Sequence, residues 1–587
     1  MFQTFGASST PEQGPPRLAS LRAHMARAGL DGFLVPRADV HQGEYVADAD
    51  ARLEWLTGFT GSAGFAAVLA DVAGVFIDGR YRLQVRDQVA DVFTPVNWPE
   101  IKLADWLKDQ LPKGGLVGYD PWLHTVSEIK TLAKALDGSG ITMQASANLV
   151  DAIWDDQPAP PDAKFTAYPL EYAGESHADK GARVASGTHV ITLPDSIAWL
   201  LNIRSTDIER NPVPHAFAVL HPDGKVDLFT RPGKADDITD HLGTDVTLHD
   251  QSTFLDHLAT LPAPVLIDEK VCPQIVKTTL GDKATHGTDP CLLPKATKNA
   301  TEIAGARAAH LRDGAAMVRF LAWLDATAPG GQLTEIDVVK QLESFRRDTN
   351  QLLDVSFETI CGAGAHGAIV HYRVTDDTNA PVSPGELLLV DSGGQYIDGT
   401  TDITRTVIVG DPSDDHRACY TRVLQGMIAV SRTQFPRGVA GNHLDALARA
   451  PLWADGMDYD HGTGHGVGAY LSVHEGPHGL SRRATTPFEE GVIISNEPGY
   501  YRTDAFGIRI ENLIVVVKAP SGPDSRDMLA FDTLTYVPLD RRLIDTARLS
   551  PAERAWVDSY HAATLDRIGP LIDGSALDWL KQATAPL

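Results

Sequence analysis

The stretch His461-Gly-Thr-Gly-His465-Gly-Val-Gly468 cannot be helical. Each of its four glycines would cost about 1 kcal/mol in a helix relative to alanine. The two histidines, although four apart, therefore do not share a helical face as a zinc pair would. They sit on a loop or strand end whose backbone bends sharply or closely approaches a neighbour. Imidazoles held on such a backbone suit metal binding or proton transfer. A glycine-rich loop with satisfied histidines is the plainer reading, and the surrounding sequence decides between the two.

That surrounding sequence puts carboxylates at the ends of apolar runs. Glu386-Leu-Leu-Leu-Val-Asp391 reads as a strand ending on an acid, followed by the turn Ser392-Gly-Gly394. Asp402 is expected on the returning strand, and in a hairpin bent by a bulge both acids point into one site. Gly491-Val-Ile-Ile-Ser-Asn-Glu497 ends on another acid. Gly507-Ile-Arg-Ile-Glu511-Asn512, continuing to Val517, reads as one strand with Glu511 amid apolar neighbours. An acid so placed is costly to bury unless it is paired or bound to metal. One such acid would read as an edge-strand charge. Four of them with His465 form a hard, oxygen-rich set that suits Mn²⁺, or less distinctively Co²⁺ or Zn²⁺. Bridging carboxylates suit two ions about 3.5–4 Å apart.

Two further patterns match known motifs without the context those motifs need. Gly362-Ala-Gly-Ala-His-Gly367 fits the dinucleotide-binding glycine pattern, but Ala368-Ile-Val-His-Tyr372 after it reads as a strand where a helix is required. His474-Glu-Gly-Pro-His478 fits the zinc-helix pattern, but Gly476-Pro477 would break that helix.

Elsewhere the chain reads as soluble and globular. Alternating strands and helices run to Trp154, an α/β pattern, and Asp155-Asp-Gln-Pro-Ala-Pro-Pro161 is a linker by composition. Beyond it the plan partly repeats: Asp195-Ser-Ile-Ala-Trp-Leu-Leu-Asn-Ile-Arg204 stands where Arg52-Leu-Glu-Trp-Leu-Thr-Gly stood. Asn299-Ala-Thr-Glu302 is a capping box opening a long helix. The expected division is residues 1–157, 158–297, 298–524 and a C-terminal extension over 525–587. With 51 Lys and Arg against 77 Asp and Glu, the net charge of −26 disfavours nucleic acid and anionic membranes as partners. The four cysteines are far apart and form no C-x-x-C, and neither an apolar leader nor an 18-residue apolar run occurs. Together these predict a cytoplasmic location.

Asp391, Asp402, His465, Glu497 and Glu511, in VDSGGQYIDGTTD, HGTGHGVG, SNEPGYY and GIRIEN, resemble in order and context the metal ligands of the creatinase "pita-bread" enzymes. WLTGFTGSAG, DGRY, SIAWLLNIR and the C-terminal extension extend that resemblance over essentially the whole chain, and within the superfamily toward the three-domain X-prolyl aminopeptidases. The resemblance implies an α/β and α+β architecture of two creatinase-N-like domains, a pita-bread catalytic domain and an extension. It also implies two divalent ions, Mn²⁺ first, that activate water to release the N-terminal residue from peptides with a free N-terminus and proline second. His371, His461 and His474 match residues that contact substrate, and Glu497 is expected also to accept the water's proton. Arg509, two residues before Glu511 and so expected on the same strand face, would orient a ligand carboxylate; a salt-bridged structural arginine is its plainer reading, and the two are compatible. A homodimer through the catalytic domain is implied, with Trp453 at the interface or, on the plainer reading, in the core. Prolidase shares the five ligands but typically lacks the second N-terminal domain and the extension. A metal-free binding module of the same fold loses the acids present here.

Overall fold

Apolar runs that alternate between two covered faces build the first sheet. The structure, a computed structural model, describes residues 1–6, 9–520 and 522–587. Strands β1 (Gly32–Pro36), β2 (Phe65–Leu69), β3 (Ala73–Ile77), β4 (Thr94–Asn97), β5 (Gly115–Tyr119) and β6 (Ile141–Ala145) lie in the order β4-β3-β2-β1-β5-β6. Successive strand side chains point to opposite faces. Phe33 and Val35 accordingly join one apolar cluster and Leu34 the other, and Val75 and Phe76 divide the same way. The helix Gly14–Ala28 covers the first face with Leu18, Leu21 and Met25, and ends at Gly29, whose φ of +69° is easy for glycine. The helix Leu103–Gln110 covers the second with Trp106 and Leu107.

The second sheet repeats this plan strand for strand. β7 (Thr188–Ile191), β8 (Phe217–Leu220), β9 (Val226–Thr230), β10 (Val246–Asp250), β11 (Val265–Ile267) and β12 (Ala284–His286) run in the order β10-β9-β8-β7-β11-β12. The inner two pairings are antiparallel and the outer three parallel, as in the first sheet. The internal repeat expected from sequence is therefore real. Both sheets belong to one compact unit, residues 9–292.

The other unit comprises residues 1–6 and Leu293–Leu587. The polar N-terminal segment belongs here because Phe2 N–H donates to Glu343, and Arg373 donates to the carbonyls of Thr4 and Gly6. The expected capping box is present: Asn299 Oδ1 accepts from Thr301 and Glu302, and the Glu302 carboxylate accepts from Asn299. It opens α1 (Ala300–Thr327). Strands β13 (Leu387–Ser392), β14 (Ile403–Ile408), β15 (Gly464–Gly466), β16 (Ile493–Asn496), β17 (Phe506–Arg509) and β18 (Asn512–Lys518) frame the site.

Three local expectations are corrected. Gly507–Val517 is not one strand: β17 and β18 belong to different sheets, and the chain breaks at Ile510–Glu511 because Glu511 N–H bonds to the Thr404 carbonyl. Ala368–Tyr372 is not a strand. Gly364–Ala368 forms a 3₁₀ turn, with Gly367 packed so closely that a Cβ on Gly507 would lie 1.6 Å from its carbonyl oxygen. Asp402 does not return directly from β13 either: a small hairpin, Gly394–Tyr396 with Gly399–Thr400, intervenes before β14. The dinucleotide pattern remains excluded, since that short 3₁₀ turn overlaps it and, among the described residues, no helix follows before β13.

The C-terminal extension covers its own unit. Tyr560 is buried and its hydroxyl donates to the Val537 carbonyl, while Trp579 Nε1 donates to Asp325. Trp453 is 45% exposed, so its reading as a core residue does not hold. Among the described residues no helix is long and apolar enough to cross a membrane.

Candidate metal centre

Each of the five expected ligands stands where a strand ends or breaks. Asp391 is the penultimate residue of β13 and pairs with Thr404 of β14; Asp402 immediately precedes β14. Glu511 sits in the break between β17 and β18, where Thr404 Oγ1 donates to its Oε2 at 2.8 Å. Glu497 follows β16. Ser495 stitches it to the glycine-rich loop: its Oγ donates to Glu497 Oε1 at 3.0 Å and accepts from His465 N–H at 2.9 Å. The glycine beside His465 permits this approach. A Cβ on Gly464 would lie 1.9 Å from the Ser495 carbonyl oxygen, which no side chain tolerates.

His465 Nδ1 lies 2.9 Å from the Gly466 carbonyl and can only donate there, which turns Nε2 toward the acids. Nε2 is 3.5 Å from Asp402 Oδ2 and 3.4 Å from Glu497 Oε1. Asp402, His465 and Glu511 each offer an atom within 4.8 Å of the others. Asp391, Asp402 and Glu511 are buried, whereas the side chains of Glu497 and His465 keep 15% and 23% exposure, so these two stand at the mouth.

Burial pushes the Asp391 carboxyl up to about 6, with Arg509 opposing and the charges of Asp402 and Glu497 adding to the rise. Burial likewise drives Glu511 well above the carboxylate range, with Asp402, Glu497 and Asp391 adding to it. Burial alone would lower the His465 imidazole; Asp402 and Glu497 carry it up instead, to about 9. Four acids thus crowd one another with a single arginine among them. Asp391 Oδ1 and Glu511 Oε1 are buried and find no hydrogen-bond partner among the described residues. Orphaned buried oxygens are costly unless something positive meets them. The donor set, one imidazole and four carboxylates, fits divalent cations.

Arg509 supports the cluster from behind. Its Nη2 donates to Asp391 Oδ2 at 2.7 Å and its Nη1 to Tyr501 Oη at 2.6 Å. With that oxygen accepting from Arg509, the Tyr501 hydroxyl donates to His461 Nε2 at 2.9 Å, and His461 Nδ1 turns to the Gly462 carbonyl at 2.7 Å. His461 is thereby tied to Asp391 through Tyr501 and Arg509. His371 follows Val370, whose carbonyl accepts from Arg509 Nη1. The His474 ring meets the His465 ring edge-on at 4.3 Å. Sequence reasoning assigned nothing to Tyr501, Thr404 or Ser495. Tyr501 lay inside the quoted SNEPGYY, but its role depends on the hairpin register Tyr501↔Gly507, which sets it diagonal to Arg509 and is not visible in the linear chain. The His474–His478 pattern does not lie on a helix: Glu475–Leu480 is a strand, Glu475 is buried against Lys295 and Lys298, and His478 Nε2 contacts the Pro487 carbonyl.

Known proteins resemble this chain over nearly its whole length. The profile of metallopeptidase family M24 matches residues 304–518, creatinase/prolidase N-terminal domain profiles match 17–153 and 156–302, and the C-terminal region of M24 peptidases matches 527–587. A probable Xaa-Pro aminopeptidase P of Laccaria bicolor is 39% identical over 97% of this chain and 93% of its own length. Aminopeptidase P2 of Arabidopsis thaliana is 38% identical over 97% and 88%. An X-prolyl aminopeptidase from Caenorhabditis elegans, described as a cytosolic enzyme with a di-nuclear active site, superposes with a TM-score of 0.94 at 32% identity, covering 98% of this chain and 100% of that one. The chain belongs to metallopeptidase family M24, among its Xaa-Pro aminopeptidases, and is a peptidase dependent on divalent metal ions.

Proposed function

We propose that this peptidase releases the N-terminal residue from peptides with proline in second position, using two divalent ions held by Asp391, Asp402, His465, Glu497 and Glu511. The observation that carries this reading is the convergence of four carboxylates on one imidazole with two buried oxygens unmet. Bound there, the ions (Mn²⁺ first, Co²⁺ or Zn²⁺ as alternatives) supply Lewis acidity that lowers the pKa of a water and polarises a carbonyl.

The chain's own residues supply the rest. Glu497, a carboxylate at the mouth with Ser495 holding only Oε1, accepts the water proton and passes it to the leaving proline nitrogen. His474, beside His465, donates to the substrate carbonyl oxygen as charge develops on it, with His371 in the same role. Arg509 fixes the Asp391 carboxylate, and through Tyr501 it fixes His461, which contacts the substrate. The working chain is a cytoplasmic homodimer, divided into domains at 1–157, 158–297, 298–524 and 525–587.

Hydrolysis of Arg-Pro-Pro, Gly-Pro and Ala-Ala-Ala with added Mn²⁺ tests the reading. Release of arginine from Arg-Pro-Pro, with Ala-Ala-Ala resistant, is expected. Cleavage restricted to Gly-Pro would make the chain a dipeptidase.

A further inference from the structure

The unit formed by residues 9–292 holds none of the five ligands above, yet three imidazoles there converge on one carboxylate. Asp227 and Phe229 project from the same face of β9, two residues apart. β10 runs parallel to β9 with His249 in register with Phe229, which brings His249 onto that face. The helix Phe254–Thr260 lies over it and contributes His257, and His221 follows the end of β8. His249 Nε2 is 3.0 Å from Asp227 Oδ1, His257 Nε2 is 3.2 Å from Asp227 Oδ2, and His221 Nε2 is 2.8 Å from Oδ2. The fully buried Phe229 ring is their floor, stacked on His249 at 4.8 Å and edge-on to His257 at 5.0 Å. Neither ring can swing far without losing that contact.

An aspartate accepting hydrogen bonds from its histidines would account for His221 and His249. It accounts less well for His257, whose Nε2 is shut off from solvent and faces Asp227 Oδ2 at 3.2 Å but off the line of a good hydrogen bond. The spacing fits another partner. Two ligands each about 2.0–2.1 Å from a tetrahedral ion lie about 3.3 Å apart; His249 and His257 approach Asp227 to 3.0 and 3.2 Å, each at a different oxygen of the carboxylate. Asp227, His249 and His257 each offer an atom within 4.8 Å of the others.

We propose that Asp227, His249 and His257 form a second metal site, selective for a borderline transition-metal cation and above all Zn²⁺, with His221 orienting the carboxylate. Two imidazoles and one carboxylate favour Zn²⁺ over Mg²⁺ or Ca²⁺, which demand oxygen. The ion would clip the edge strand β10 and its covering helix to β9, a structural role distinct from the peptidase centre. The three side chains remain 14–28% exposed, so the ion can enter from solvent.

The test counts zinc on the full chain. Protein stripped with a chelator is titrated with Zn²⁺ against a chromophoric competitor, wild type beside His249→Ala/His257→Ala. The double variant should bind one ion fewer while keeping its aminopeptidase activity. His221→Ala should keep the count and weaken that one ion about 10–100-fold, the usual effect of removing an orienting partner. Equal counts in wild type and double variant overturn the proposal. Should the double variant misfold, crystals of the wild-type chain soaked in Zn²⁺ decide: an anomalous peak between His249, His257 and Asp227 supports the site, and its absence overturns it. The comparison is a difference between variants in the other unit, so it is independent of how many ions the peptidase centre takes.

Discussion

Glu511 is the residue at which the centre's electrostatics are most exposed to test. It is 1% exposed, one of its oxygens is unmet, and its neighbours are acids. Glu511→Gln keeps the shape and removes a charge, so metal binding and turnover should both be lost while the far-UV circular dichroism is retained. Near-normal turnover in that variant would show that the ligand set is wrong. The metal-free protein carries a second signature. Asp391 in the fold keeps its proton until about 6 against 3.8 unfolded, and His465 keeps its proton until about 9 against 6.5. A raised pKa stabilises the fold below the unfolded value, and that stability is lost as pH rises through the folded one. The melting temperature of chelator-treated protein should therefore fall between pH 4 and 9, and saturating Mn²⁺ should raise it most at the alkaline end. A flat or rising profile without metal would contradict the assignment. His474, whose ring packs on the proposed ligand His465 and which is not proposed as a ligand itself, should behave differently. His474→Ala should keep its metal and lose about 10²-fold in kcat, and loss of metal there would make it a ligand.

At the scale of elements, the site is assembled from strand ends, and glycines let those ends approach. Gly464→Ala would drive a Cβ into the Ser495 backbone, which cannot yield as a flexible side chain would. Overpacking of that kind costs about 2 kcal/mol or more, and here it would displace His465 from Glu497. Weaker metal binding is expected with all five ligands intact; unchanged affinity in a metal titration would mean that the loop is less constrained than its geometry implies. The same elements mark what the sequence could disclose. An acid closing an apolar run is visible because its cost is local, as at Asp391 and Glu497, and a capping box is visible because its two partners are three residues apart. The break at Ile510–Glu511 was hidden, since Ile508, Ile510 and Leu513 read as uninterrupted β and the break is made by Thr404, distant in sequence. Ile369 and Val370 misled likewise: their β-branched character favours a strand, but close backbone packing among Gly362, Gly367 and Gly507 imposes a 3₁₀ turn. Tyr501 escaped because its value lies in a bond to Arg509 across a hairpin.

For the whole molecule the open question is assembly, and one surface feature bears on it. The helix Gly441–Trp453 leaves Ala446, Leu447, Ala450 and Trp453 exposed along one side, Leu447 by 37% and Trp453 by 45%. Scattered exposed apolar residues need no explanation, but several on one helix side favour burial against a partner. The acidic net charge keeps a monomer soluble, so it does not itself demand a partner. A second copy is the simplest one, because two-fold symmetric dimers are the commonest closed assembly and use the same patch twice. Trp453 would then be a large apolar anchor of the kind that dominates interface energetics. Light scattering on the purified chain should give about twice 63.3 kDa at micromolar concentration. Trp453→Glu puts a charge where the interface would bury an apolar anchor and should yield the monomer with its peptidase centre intact. A wild-type chain that scatters as a monomer across that range would rule out the dimer. A dimer unaffected by Trp453→Glu would move the interface off this helix.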